Sequence, residues 1–233
     1  MKEILVLGHS QNPAREITPF EEVMWGTSPN QPGRLPVAIF EMIKSSQGII
    51  VLSGGTEFQG KKEAREMKNC LFKNLSRINE FKDFFGIKDF NIEEIRSKLK
   101  EDLVLEEDSQ TTFQNFQYSW DLLKEKRLKI EEVVVVTSYD HLIKAIISAF
   151  EWREKGDFRV RMSFVPSYTP RFSSGTKGLT LVDQKGKGRI ISIILKLLSS
   201  PSPIFASDLK KIDEQLPEGI EAVKEDILKQ LSK

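Results

Sequence analysis

The stretch GIIVLSGGTEFQGKKEA, from Gly48 to Ala64, decides the fold. Its first part, Ile49 to Leu52, is a continuous apolar run, which is typical of a strand buried on both faces of a parallel sheet. The residues Ser53 to Thr56 follow as a glycine turn, and a helix is predicted from about Lys61. A strand, a glycine turn and a helix in this order can bind an anion, because backbone N–H groups and a helix N-terminus meet there. The two glycines also suit a turn that needs them only for its backbone geometry, and both interpretations stay open.

Composition and charge limit the classes of function that fit the chain. Of its 233 residues, 30% are charged and 39% are hydrophobic, which is ordinary for a soluble globular protein. The formal net charge is +1, from 35 basic and 34 acidic residues, and it provides no general attraction for nucleic acid or an anionic membrane. We therefore predict one domain over residues 1–233, no nucleic-acid partner, and an anion site only where charges are placed locally.

Cysteine content and hydropathy predict a cytoplasmic protein without a membrane span. Cys70 is the only cysteine in the sequence, so neither an intramolecular disulfide nor a cysteine-rich metal site can form. The opening residues, MKEILVLGHS, have too short an apolar run for a signal peptide and are better explained as a first strand. No apolar run approaches the ~20 residues that a membrane-spanning helix needs. No metal site is predicted, since the His and acidic residues lack ligand-type spacing, and a carboxylate-bound Mg²⁺ beside a phosphate ligand stays an open alternative.

Predicted strands alternate with predicted helices along the chain. The strands lie near residues 4–8, 49–52, 103–105, 133–136 and 158–165, and the helices near residues 34–46, 61–75, 109–126, 139–152, 190–198 and 206–233. This order predicts a Rossmann-like three-layer α/β/α sandwich with a mostly parallel five-stranded sheet. Residues 11–33 are predicted to be a long loop, residues 73–100 a Phe-rich helical insert with Asn91 as a helix cap, and residues 200–233 a C-terminal helical extension. The insert either packs against the core or forms a flap or a partner surface.

Polar residues gather where the predicted strands end, and ligands of parallel α/β sheets bind at those carboxyl ends. The candidate ligand-binding residues are His9, Arg34, Ser53, Gly54, Gly55, Ser109, Thr112, Asn115, Thr137, Ser138 and Lys144, and the candidate catalytic residues are His141, Glu63 and Glu106. Ser109, Thr112 and Asn115 are spaced by three and share one stripe of a helix, and His141 and Lys144 repeat that spacing. Ser109 and Ser138 are also explained by helix capping alone.

An ordered series of short motifs runs along the chain: SGG at Ser53–Gly55, EA at Glu63–Ala64, E-x-x-S-x-T-T-x-x-N at Glu106–Asn115 and V-T-S-x-x-H-x-x-K-A at Val136–Ala145. This series resembles the YdcF/SanA/ElyC-like family, domain of unknown function 218. Arg34 also falls where the family carries an arginine that opens its first helix. The resemblance spans about residues 3–165.

The chain departs from the family pattern at several places. Thr111 stands where the family usually has Asn or Asp, and Lys144 stands where it usually has Arg, which loses the planar fork for bidentate contacts. Asp140 is an extra residue, and the insert is longer than usual. Many family members carry an N-terminal membrane anchor that this chain lacks, so an envelope role is not expected. The resemblance implies a Rossmann-like sandwich; one family member binds S-adenosylmethionine, others are linked to bacterial envelope biogenesis, and no reaction belongs to the whole family.

Three functions are compatible with these observations. The first is a site for a nucleotide-like or phosphate-bearing anionic small molecule, bound by the N–H groups of Gly54 and Gly55 and the charges of Arg34 and Lys144. In this hypothesis His141 is the general acid/base, Glu63 or Glu106 orients it, and the reaction is phosphoryl or nucleotidyl hydrolysis or transfer. The second is S-adenosylmethionine binding without methyl transfer. The third is a non-enzymatic interaction or scaffold protein that works through the insert and the C-terminal helices.

Overall fold

The apolar run that follows Gly48 is the second strand of a five-stranded parallel sheet in the computed structural model of the chain. The structure describes residues 1–9, 19–45, 47–156 and 160–167, all within one compact unit, Met1–Leu181. The predicted helices 190–198 and 206–233 and the extension 200–233 lie outside the described residues.

The elements follow the predicted alternation of strands and helices. In chain order they are β1 (Lys2–Leu7), α1 (Phe20–Met24), β2 (Gly26–Ser28), β3 (Gln31–Pro32), α2 (Arg34–Lys44), β4 (Gly48–Ser53), β5 (Glu57–Phe58), β6 (Lys61–Lys62), α3 (Glu63–Asn74), a 3₁₀ helix (Leu75–Phe81), α4 (Ile92–Asp102), β7 (Leu103–Glu106), α5 (Thr112–Glu125), β8 (Glu132–Ser138), α6 (Tyr139–Gly156) and β9 (Arg161–Ser167). Among these helices, none is long and apolar enough to cross a membrane.

The central sheet has the strand order β7-β4-β1-β8-β9, and every neighbouring pair in it is parallel. The chain moves outward from β1 through β4 to β7 and then crosses back over the sheet to β8 and β9. This reversal places the topological switch point, where sheets of this kind bind ligands, between β1 and β8. The predicted Rossmann-like α/β fold is confirmed.

The two faces of the sheet carry separate apolar layers because successive strand residues point to opposite sides. Ile4 and Val6 of β1 belong to a buried cluster that also contains residues of α2, α3 and α4. Leu5 and Leu7 point to the other side, where α5 lies across β1 and β4 and packs against α6. The sheet is therefore covered on both faces, as its continuous apolar strands require.

The predicted insert is part of the crossover from β4 to β7. Phe81 of the 3₁₀ helix, Ile95 and Leu99 of α4, and Phe90 of the segment between them are buried in the cluster that covers the sheet, and α4 leads directly into β7. The Asn91 side chain caps α4 by accepting from the N–H of Glu94, as predicted. The interpretation that this segment packs against the core is confirmed for Phe81 and Phe90, whereas Phe84 and Phe85 are partly exposed, and a flap or partner surface stays a prediction.

Two short hairpins were not predicted. Residues 26–32, inside the expected long loop, contain the antiparallel pair β2–β3. After the glycine turn, β5 and β6 form a second hairpin before α3 begins. Its tip, Gln59 and Gly60, has φ angles of +52° and +76°, the left-handed conformation that a tight two-residue hairpin turn requires. The chain therefore makes one additional hairpin between the glycine turn and the helix that was expected to follow it.

Candidate functional site

The glycine turn at the end of β4 packs tightly against the loop that follows β7. The N–H of Gly54 donates to the carbonyl oxygen of Glu106 at 3.0 Å, and the N–H of Gly55 donates to the carbonyl oxygen of Ser109 at 2.8 Å. The expectation that these two N–H groups bind an anion is therefore wrong. They already have backbone acceptors, because the turn continues the pairing of β4 with β7 past the strand ends.

Backbone proximity explains why the turn needs glycine. A Cβ atom at Gly55 would lie 2.6 Å from the carbonyl carbon of Asp108 and 2.7 Å from the backbone nitrogen of Ser109. A Cβ atom at Gly54 would lie 2.7 Å from Oε2 of Glu63, the first residue of α3. The buried Glu63 carboxylate thus lies against the glycine turn, and the interpretation that the turn needs glycine for its backbone geometry accounts for both glycines.

Ser53 and Glu106 connect the ends of β4 and β7 beneath this turn. The Ser53 hydroxyl donates to Oε2 of Glu106 at 2.5 Å, and both residues are buried. The other carboxylate oxygen of Glu106 accepts from the backbone N–H groups of Asp108 and Ser109 at 2.7 and 2.8 Å. Glu106 therefore holds the loop before α5 in place, which is a positioning role for a residue predicted to be catalytic.

Arg34 bridges the ends of β1 and β8 at the switch point of the sheet. Its Nη1 donates to the carbonyl oxygens of Leu7 and Gly8, and its Nη2 donates to the hydroxyl of Ser138, each at 2.6 Å. The pairing of β1 with β8 stops at Val6, so the diverging strand ends present polar groups that the guanidinium satisfies. Because Arg34 is fully buried, the expectation that its charge faces an anionic ligand is wrong.

The same contact decides the role of Ser138. Its hydroxyl accepts from Nη2 of Arg34 and so serves a buried charged group. At α5, the cap is Thr111, whose hydroxyl accepts from the N–H of Gln114, so the predicted capping role of Ser109 is wrong.

The imidazole of His141 is held between two threonine hydroxyls. Nδ1 lies 3.0 Å from Oγ1 of Thr137, and Nε2 lies 3.2 Å from Oγ1 of Thr112. Both threonines are buried and the imidazole is half-buried, so β8, α5 and α6 meet at one ring. The orienting groups on the ring nitrogens are therefore hydroxyls, where the sequence favoured the carboxylates of Glu63 or Glu106. The four-residue spacing of Thr137 and His141 across the start of α6 is a signal that could have revealed one of them.

Hydroxyl partners leave the imidazole able to change its protonation state. A hydroxyl can donate or accept, so this pair accommodates either neutral tautomer and the protonated ring. When Thr137 accepts from Nδ1–H, Nε2 of His141 accepts from the hydroxyl of Thr112, which is the arrangement of a general base and its proton donor. A ring whose two nitrogens both contact hydroxyl groups is suited to acid/base chemistry.

The remaining residues of the predicted site differ in their exposure. Ser109 is buried, and its hydroxyl has no hydrogen-bond partner among the described residues. Asn115 is buried one turn into α5, and Lys144 is exposed one turn after His141 on α6. Lys144 is thus the predicted cation of the site that solvent and a ligand can reach.

His9 follows the end of β1, and Glu63 is the first residue of α3. His9 is buried, and its ring stacks on Phe20 of α1 with centroids 6.2 Å apart. A Cβ atom at Gly8 would overlap the Glu63 carboxylate, so Glu63 lies beside the end of β1 as well as the glycine turn. These contacts place both residues below the surface at the carboxyl edge of the sheet.

The contacts that hold the loop after β7 were not predicted from the sequence. Lys62 donates to the carbonyl oxygen of Glu107 at 2.8 Å, and Arg65 forms a two-point ion pair with its carboxylate. The β5–β6 hairpin and α3 thereby hold the loop that carries Ser109. Charge alternation along residues 61–66 was a signal for such contacts, although it does not identify the partner.

Other features of the described region lie apart from this edge. A cavity of about 400 Å³ opens near the C-terminal end of α2, lined among others by Met42, Ile43, Phe90 and Ile95. None of its lining residues belongs to the predicted site, and it lies towards the amino ends of the strands. Within the described ranges, no group of three His, Cys, Asp or Glu side chains is placed to hold a metal ion.

Comparisons with known proteins add no relative to this description. No protein-family model matches the chain, and no curated protein matches it. The resemblance that the motif series suggests stays a prediction.

Proposed function

We propose that the chain binds a nucleotide-like or phosphate-bearing small molecule at the carboxyl edge of its sheet and acts on it as a phosphoryl or nucleotidyl hydrolase or transferase. The observation that carries this proposal is the imidazole of His141 between the hydroxyls of Thr137 and Thr112. A histidine whose two nitrogens contact proton-exchanging groups is suited to general acid/base catalysis.

The start of α5 is the anion-binding element of this proposal. The first N–H groups of a helix have no intrahelical acceptor, and the helix dipole favours negative charge there. Thr112, the first residue of α5, therefore combines a helix N-terminus with a contact to His141. Lys144, exposed one turn beyond His141, adds a mobile positive charge. Arg34 and the glycine turn support this arrangement from below and do not contact the ligand.

A panel of ligands tests the proposal by thermal shift. The panel contains inorganic phosphate, nucleoside mono-, di- and triphosphates, and S-adenosylmethionine as the alternative ligand. Phosphate-bearing ligands should raise the melting temperature, and at equal concentration the tighter ligand should raise it more. Lys144→Ala should weaken this binding about tenfold, since it removes one exposed charge near the ligand. The matched control is Lys126→Ala, an exposed lysine at the opposite end of α5.

The outcomes separate the alternatives. A shift with S-adenosylmethionine and none with phosphate-bearing ligands would replace the proposal with the second function. No shift with any anionic ligand, or equal effects of Lys144→Ala and Lys126→Ala, would contradict a phosphate site at this edge. The scaffold alternative loses part of its predicted surface, because Phe81 and Phe90 of the insert are buried in the core.

A further inference from the structure

We propose that Thr112 is the nucleophile of this site and that it accepts a phosphoryl group from a phosphate monoester, with His141 as its base. This inference rests on the proposed function and adds a covalent intermediate to it. Thr112 contacts Nε2 of the ring at 3.2 Å, while Thr137 contacts Nδ1 on the opposite side of the same ring. The three side chains form one chain of hydrogen bonds that ends at Thr112.

The contacts of the other hydroxyls at this edge single out Thr112. The hydroxyl of Ser53 donates to Glu106, and the hydroxyl of Ser138 accepts from Arg34, so both already serve buried charged groups. The hydroxyl of Thr137 contacts Nδ1 of His141, on the other side of the ring from Thr112, and orients the imidazole. Among the hydroxyls described at the carboxyl edge, Thr112 combines a histidine partner with a position at a helix N-terminus.

The helix position also explains how charge is stabilised. A phosphoryl group bonded to Oγ1 of Thr112 lies beside the first N–H groups of α5, which have no intrahelical acceptors. Thr111 caps the helix by accepting from the N–H of Gln114, so one of these early donors is taken. Thr112 is 6% exposed, so little bulk water surrounds its hydroxyl.

The proposed reaction has two balanced steps. In the first, Oγ1 of Thr112 attacks the phosphorus and forms an Oγ1–P bond, while the bond from phosphorus to the leaving oxygen breaks. The hydroxyl proton of Thr112 passes to Nε2 of His141 and then to the leaving oxygen, which departs as an alcohol. In the second, His141 takes a proton from water, the water oxygen attacks the phosphorus, and the Oγ1–P bond breaks as the proton returns to Thr112. An alcohol in place of water makes the same sequence a transfer.

The test uses the full chain and p-nitrophenyl phosphate as the probe. Rapid acid quench followed by intact-mass and peptide analysis should show one added phosphoryl group on Thr112, together with a burst of p-nitrophenol. Thr112→Ser should keep the adduct, and Thr112→Val should lose both the adduct and about a hundredfold or more of the turnover. The control is Thr111→Val, which removes the cap of the same helix and leaves the Thr112 hydroxyl, so it should form the adduct.

The outcomes distinguish this inference from the function on which it rests. Turnover by the wild type without an adduct, or an undiminished Thr112→Val variant, would overturn Thr112 as the nucleophile and leave the ligand class standing. A thermal shift with inorganic phosphate but neither burst nor adduct would do the same. If the wild type shows no phosphate binding and no turnover, both proposals fall. Melting curves of each variant show that a loss comes from chemistry and not from unfolding.

Discussion

The hydroxyl of Ser53 donates to Oε2 of Glu106 across the last register pair of β4 and β7, at 2.5 Å. The second carboxylate oxygen accepts from two backbone N–H groups of the loop that leads into α5. One buried carboxylate thus satisfies three donors from two segments of the chain. Since charge-assisted hydrogen bonds in a buried setting are strong, this pair sets the path of the loop on which the candidate site is built.

Replacing Glu106 should destabilise the protein strongly. Glu106→Ala should lower the free energy of unfolding by about 3 kcal/mol, because three donors, two of them buried, lose their acceptor. Glu106→Gln should cost less, since its amide oxygen still accepts from the loop. Urea denaturation measures both, with Glu107→Ala as the neighbouring control, whose ion pair with Arg65 is at the surface and should matter little. Similar losses for Glu106→Ala and Glu107→Ala would count against the network.

Arg34 should be sensitive even to a conservative change. Arg34→Met should lower the free energy of unfolding by about 3 kcal/mol, because the two carbonyl oxygens and the Ser138 hydroxyl lose their donor. Arg34→Lys should also destabilise, since an ammonium group cannot reproduce the planar fork that reaches all three acceptors. Arg96→Met, at a half-exposed position of α4, is the control for losing an arginine. An Arg34→Lys variant as stable as the wild type would show that the bridging geometry is unimportant.

Gly55→Ala tests the close packing of the glycine turn. The added Cβ would lie 2.6–2.7 Å from backbone atoms of residues 107–109, which cannot move away as a side chain can. We expect a loss of about 1–3 kcal/mol in thermal or urea unfolding. Gly48→Ala is the matched control, because its Cβ would approach side-chain atoms of Ile4 and Ser45 no closer than 3.3 Å. If both variants unfold alike, the turn has room that the described packing does not show.

Glu3 should make the stability depend on pH. It is buried on β1 between Ile49 and Val133 of the neighbouring strands, and burial raises the pKa of its carboxyl from 4.5 to about 8. The folded state therefore keeps a proton that the unfolded chain releases. The contribution of Glu3 to the free energy of unfolding is therefore fully present below pH 4.5. It decreases by about 1.4 kcal/mol per pH unit until the pH passes 8.

Glu3→Gln should remove this decline. The variant should be more stable than the wild type at pH 8, by an amount on the order of 4 kcal/mol, and should differ far less at pH 5. Urea denaturation at the two pH values measures this, with the exposed Glu131→Gln as the control. Parallel pH dependence of Glu3→Gln and the wild type would show that Glu3 does not hold the proton.

Several elements could be predicted closely because each carries its own local signal. The apolar run of β4, the valines of β8 and the helical stripe of α5 have the periodicities of buried strands and of an amphipathic helix. The cap of α4 could be predicted in the same way, since its donor and acceptor, Glu94 and Asn91, are close in sequence. The β5–β6 hairpin was missed because Gln-Gly is a weaker turn signal than Asn-Gly and its strands have only two residues each.

The sequence by itself determined the order of the five central strands and of the longer helices between them, and it showed that polar residues follow these strands. Only the tertiary structure decided which partner each of them takes. Arg34 and Ser138 are 104 residues apart, and Ser53 and Glu106 are 53 apart, so no local pattern relates them. The strand order brings these pairs together, and burial then forces each donor to find an acceptor. For this reason Arg34, Gly54 and Gly55, which were expected to bind an anion, make structural contacts instead. His141 and Thr112 are the pair on which the proposed chemistry rests.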